Sequence, residues 1–165
     1  MALGDNTTSV AHGATARGRQ PYMIEYELDI AQAVTDKGSA LAAADVIPGL
    51  TIPAYTLVLA AGWEVLEVHT GTSTDADWDF GVTGGDVDNF VDGFAFDAAA
   101  VGDVAFKATQ TPVVIGATAD TIDVLLASNT GTTLTGKLRL WAVCMDIDGY
   151  GASLTADEVD RDTLA

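Results

Sequence analysis

Asp75, Asp77 and Asp79 alternate along the run Asp75-Ala76-Asp77-Trp78-Asp79, the spacing with which a calcium-binding loop begins, and Asp86 falls at the twelfth position, where such a loop places its bidentate ligand. The sixth position, which needs glycine for a sharp turn, is Phe80. Trp78 and Phe80 alternate with the acids as a buried strand face would, so the favoured reading is a strand with an acidic outer face. Asp86, Asp88, Asn89 and Asp92 form a second dense set of oxygens. A calcium or magnesium ion held among Asp75, Asp77, Asp79, Asp86, Asp88 and Asp92 is the lesser alternative, and no other cofactor is expected.

Nucleophilic catalysis needs a base, and the chain offers two histidines, His12 and His69, neither beside a Ser, Cys or acid in a recognised arrangement. His69 reads as a surface strand residue and His12 as solvated or facing a partner. With 24 carboxylates in the chain, some pair always lies at a glycosidase-like separation, so pairing carries no information. Gly84-Gly85 and Gly93 lack the following helix and lysine of a phosphate loop. Trp63, Trp78 and Trp141 would suit a sugar platform, yet each sits in an apolar or alternating run, which favours core packing or a subunit interface. Together with Phe90 they are the aromatics offered for self-association or a partner. No enzyme is expected.

Seven Lys and Arg against those acids give a net charge of −17, and two of the seven, Arg17 and Arg19, sit in a Gly/Ala/Thr-rich leader. Such a body repels phosphate and anionic lipid, which argues against nucleic acid and membranes as partners. The leader is faintly basic and suits an acidic protein surface. Residues 1–22 therefore read as an arm whose contact residues are His12, Arg17, Arg19 and Tyr22. A leader so poor in apolar residues orders itself only against a partner. The start MALGDNTTSVAHG lacks the apolar core of a signal peptide, and no apolar stretch approaches the ~20 residues of a membrane span.

The elements that would carry these residues are strands. An apolar fraction of 48% in 165 residues supports one folded core with its charge outside. Residues 23–31 alternate, with Ile24, Tyr26, Leu28 and Ile30 on one face. Residues 34–44 read as a loop with a helical turn at 41–44. Pro48 and Pro53 bracket a short edge strand, because proline cannot donate to a central ladder. Residues 56–70 read as two strands or one bent strand, and 77–82 as another with Trp78, Phe80 and Val82 inward. Residues 84–102 read as a long Gly/Asp-rich loop pinned by Phe90, Phe94 and Phe96. Strands follow at 112–116, 121–128 and 137–146, with Cys144 as a buried hydrophobe. Thr155 and Glu158 fit a capping box in an acidic tail. The pattern predicts an all-β fold, an antiparallel β-sandwich or jelly-roll-like barrel, with an arm at 1–22, a body at 23–148 and a tail or helix at 149–165.

The opening MALGDNTT with its following ARGR, then IPAYTLVLAAGWEVLEV, DTIDVLL and GKLRLWAVCMDI, resemble the small structural proteins of tailed-phage virions. Tyr55 stands where the turn after Pro53 in that family has glycine. The resemblance implies a capsid decoration or cement protein on the outer capsid surface of the virion, often a homotrimer, that clamps neighbouring major capsid subunits through the arm. The competing expectation is a head-fibre or tail protein that contacts the host surface with Trp78, Phe90 and the Asp-rich loop.

Overall fold

Alternation of apolar and polar letters gives strands wherever turn residues interrupt it, and the computed structural model, which describes residues 21–147, follows that pattern closely. The elements are β1 (Tyr22–Asp29), α1 (Ile30–Lys37), β2 (Val46–Ile52), β3 (Thr56–Glu67), β4 (Thr74–Gly81), β5 (Val91–Ala95), a 3-10 turn (Phe96–Ala98), β6 (Val104–Ala105), β7 (Val113–Ile115), β8 (Asp120–Thr130) and β9 (Lys137–Asp146). His12, Arg17 and Arg19 of the arm, and the tail with Thr155 and Glu158, lie outside the described residues. Among the described residues no helix is long and apolar enough to cross a membrane.

Two antiparallel sheets form. One runs β1-β9-β3-β6 with β7 also on β3, and the other runs β2-β8-β4-β5. Their edges do not join, so the fold is an open sandwich and the barrel alternative is set aside. The inner faces are apolar at every second position: Leu138, Leu140, Ala142 and Cys144 on β9, and Ile122, Val124 and Leu126 on β8, are all buried. Trp63 of β3 crosses between the sheets, its ring 5.5 Å from Phe80 and 5.7 Å from Phe94. Each such large side chain contributes about 1.5–3 kcal/mol by leaving water.

Two local outcomes differ from the sequence reading, and a third settles an alternative it left open. Strand character ends at Asp29 rather than 31, because the Asp29 carboxylate accepts the Gln32 N–H at 3.1 Å and caps α1, which closes at Gly38 in the left-handed conformation (φ 73). Ile30 is the first helical residue and still fully buried, so its place in the alternation disguised the cap. The expected long loop at 84–102 contains β5 and the 3-10 turn, since Phe90 and Phe96 are buried tightly enough to draw the backbone into the sheet. Residues 56–67 form one strand with register shifts at Val58/Ala60 and Val65/Glu67, a bent strand rather than two. As Pro48 and Pro53 foretold, β2 is an edge.

Tyr55 keeps the turn that glycine would favour. Its φ of 55 is left-handed, and the turn is held by its N–H donating to the Gly116 carbonyl and its carbonyl accepting the Ile147 N–H, both at 2.8 Å. Those two bonds offset the cost of a β-carbon in that conformation, about 1 kcal/mol.

Candidate functional site

β9 sets the character of the outer face of the five-stranded sheet, because it lies between β1 and β3 and turns Lys137, Arg139, Trp141, Val143 and Met145 outward. Beyond Leu140 the run Trp141-Ala142-Val143-Cys144-Met145 is apolar on both faces. A face meant for water does not need that.

Neighbouring strands extend the apolar half. Met23 lies opposite Val143, Leu57 opposite both Met145 and Val114, and Ala60 opposite Val143. The Trp141 ring lies across Gly62, where a β-carbon would stand 2.7 Å from it, and meets Phe106 edge-on at 6.3 Å. Met23, Phe106 and Val114 are 58%, 59% and 62% exposed. Glu25, opposite Trp141, marks the border. A contiguous outward apolar surface of this kind marks an interaction site more often than a solvated wall.

The other half of the same face is ionic. The Arg139 guanidinium donates to Glu64 at 2.9 Å, and the Lys137 ammonium stands 3.2 Å from Glu67 and 3.7 Å from both Glu27 and Asp29. Glu67, then Asp29 and Glu27, raise the Lys137 pKa and keep it charged. Two cations serve four carboxylates there, so the half remains anionic.

The sequence-derived candidates fall in different places. Trp63, Trp78 and Phe90 are fully buried and correct the expectation of partner-facing aromatics: Trp78 packs edge-on to Phe96 at 6.2 Å and Phe90 against Phe80 at 6.2 Å. Large rings on the inner parity of a sandwich are its core. Trp141 alone of the four lies on the outer face. Tyr22 opens β1, and its hydroxyl donates to Asp146 at 2.7 Å; burial, then that bond, raises its pKa.

Among the described residues no group of three or more His, Cys, Asp or Glu side chains could hold an ion. Asp75, Asp77 and Asp79 lie on β4, where Asp75 is left-handed (φ 57) and the register against β8 shifts on both sides of Asp77. Asp77 accepts from the Ser128 hydroxyl at 3.2 Å, and Asp79 accepts the Gly93 N–H at 2.8 Å, with burial raising its pKa. Near Asp88 and Asp92 the cation is Lys107, 3.7 and 3.4 Å from their carboxylates and donating to the Asp88 carbonyl at 2.8 Å. Asn89 spends its amide on the Thr111 backbone, at 2.7 and 2.9 Å, and the exposed Asp86 gives its carbonyl to the Val82 N–H.

His69 is a loop staple. Its Nδ1 accepts the Gly71 and Thr135 N–H groups, both at 3.3 Å, which leaves the proton on Nε2 to donate to the Ser73 carbonyl at 3.1 Å. A cleft of about 430 Å³ between β1, α1 and β2 is rimmed by Glu27, Asp29, Asp36 and Asp45, and its lysine, Lys37, is tied to Asp45 and the Ala40 carbonyl. The Lys37 hydrogen bond, then the Ala42 N–H, lowers the Asp45 pKa. Phe106, Val114, Met23 and Met145 escaped the sequence reading. The signal was present only as the two-sided apolar run after Leu140.

No protein-family model matches the chain, and no curated protein matches it by sequence. By structure it is similar to a chain of the cyanophage Pam1 capsid asymmetric unit, at 14% identity and a TM-score of 0.59, over 82% of this chain and 89% of that one. It is also similar to a chain in the capsid of Ralstonia phage GP4, at 14% identity and a TM-score of 0.53, over 81% and 86%. At that identity the likeness is one of fold.

Proposed function

We propose that this protein is a structural component of a virion, a trimer that decorates the outside of an icosahedral capsid and grips major capsid subunits through the apolar half of its five-stranded sheet. The observation that carries the reading is that half-face itself: Met23, Phe106, Val114 and Trp141 presented together on the outer face of a protein with a net charge of −17. Its shared fold with chains of two phage capsids supports the setting. The mechanism is mass action. Binding only the assembled lattice stabilises that lattice by the difference in affinity, and several copies joined together add avidity.

Co-sedimentation with capsids tests this. Val143→Lys and Val114→Lys place charge in the half-face without entering the core, and each is expected to weaken capsid binding at least tenfold while leaving the melting temperature within a few degrees. Undiminished binding by both variants overturns the reading, as does wild-type protein that labels host cells but not capsids.

A further inference from the structure

We infer that β1 is an acceptor edge, on which the leader of a second copy of this chain adds as a strand, with Arg17 and Arg19 of the donor facing Glu27 and Glu25 of the acceptor. Open edges are hazards that folded proteins blunt, and this one blunts the others. β2 carries Pro48 and a register shift and is followed by Pro53. β5 has a register shift against β4 and a left-handed Gly93. β6 and β7 are two and three residues long, and Gln110 closes the gap between them by bonding both the N–H and the carbonyl of Ala61, at 2.9 and 2.6 Å. β1 is different. It runs eight residues in unbroken register from Tyr22 opposite Cys144 to Asp29 opposite Lys137, contains no proline, and among the described residues pairs with β9 alone.

Charge selects what such an edge accepts. The outward residues of β1 are Met23, Glu25, Glu27 and Asp29. Two β1 edges meeting each other would set carboxylate against carboxylate, which is repulsive. A strand with cations at alternate positions is complementary, and the protein already uses that match on the paired side of β1, where Lys137 faces Asp29 and Arg139 faces Glu27 across the ladder. Arg17-Gly18-Arg19 repeats the spacing of Lys137-Leu138-Arg139. Glu25 has no ion pair among the described residues, and Glu27 shares one lysine with two other carboxylates, so the acceptor side is short of cations.

Register assigns the donor to a different copy. A leader folding back on its own β1 through Gln20-Pro21 would set Arg19 opposite Tyr22 and Arg17 opposite Ile24, which turns both arginines to the inner parity of the sandwich. In trans, Arg19 opposite Glu25 and Arg17 opposite Glu27 is an allowed antiparallel register with all four charges outward. Four residues span at most about 14 Å between Arg17 and Pro21, so donor and acceptor must be immediate neighbours, as around a symmetry axis.

This inference rests on the self-association in the proposed function and not on capsid binding, so the test is made without capsids. The full-length protein is weighed by analytical ultracentrifugation at micromolar concentration. Arg17→Glu with Arg19→Glu, and separately Glu25→Arg with Glu27→Arg, are each expected to weaken self-association at least tenfold. The chain with all four substitutions is expected to recover it. Raising sodium chloride to about 0.5 M weakens the wild-type assembly. A monomeric wild type, unchanged assembly by either double variant, or no recovery by the quadruple variant overturns the inference. Circular dichroism melts of each variant separate lost assembly from lost folding. If assembly fails while capsid binding persists, the capsid reading stands without this strand exchange.

Discussion

The outer face of the five-stranded sheet is two surfaces on β1, β9 and β3, with β7 adding to one of them. Toward the Tyr22 and Asp146 ends it presents Met23, Val143, Met145, Leu57 and Val114; toward the other end the same strands present Lys137, Arg139, Glu27, Asp29, Glu64 and Glu67. The boundary falls at Trp141, which lies over Gly62 between Glu25 and Phe106. Water solvates the ionic half well and its ion pairs contribute little, whereas the apolar half gains only by being covered. A single strand, β9, thus divides one sheet face into an ionic part and an apolar part.

The comparison is broken most strongly from beneath. Gly62→Val would bring a β-carbon within 2.5 Å of the Ala105 carbonyl and 2.7 Å of the Trp141 ring, so β6 and the tryptophan must move. A loss of about 1–3 kcal/mol is expected in chemical denaturation, and an unchanged midpoint would contradict the close packing at the boundary. Next is Cys144, on the inner side of the apolar half, whose thiol burial pushes up to about 11 from 9.0, with Asp146 adding to the shift. Because the native pKa is raised, the unfolded chain releases this proton first, and stability falls as pH rises from 9 toward 11, by about 1 kcal/mol at pH 10. Cys144→Ala should remove that part of the alkaline decline, so matching wild-type and variant slopes above pH 9 would contradict a buried neutral thiol. Smallest is the ionic half. Arg139→Ala should cost about 0.2–1 kcal/mol, vanishing in high salt, while capsid binding stays unchanged. A larger cost would mean that the ionic half is structural after all.

Much of the sandwich was legible because period-two alternation survives without knowledge of neighbours. Alternation over residues 137–146 gives a strand with the bounds the structure shows, and the prolines of β2 mark its edge position. The capping of α1 by Asp29 was also written in the sequence, but Ile30 satisfies both a strand face and a helix start, and local letters cannot choose between them. The candidate site was less legible. Three of the four singled-out aromatics proved to be core, since a tryptophan in an alternating run carries no mark of which face has water behind it.

By itself the sequence determined the charge and the strand parity. These depend on each residue's own chemistry and on its nearest neighbours in the chain. Only the tertiary structure decided that Lys107 pairs with Asp88 and Asp92, that Phe106 meets Trp141 edge-on, and that β1 is the edge with unbroken register. Each of those is a meeting of strands distant in sequence, and strand order leaves no trace in periodicity.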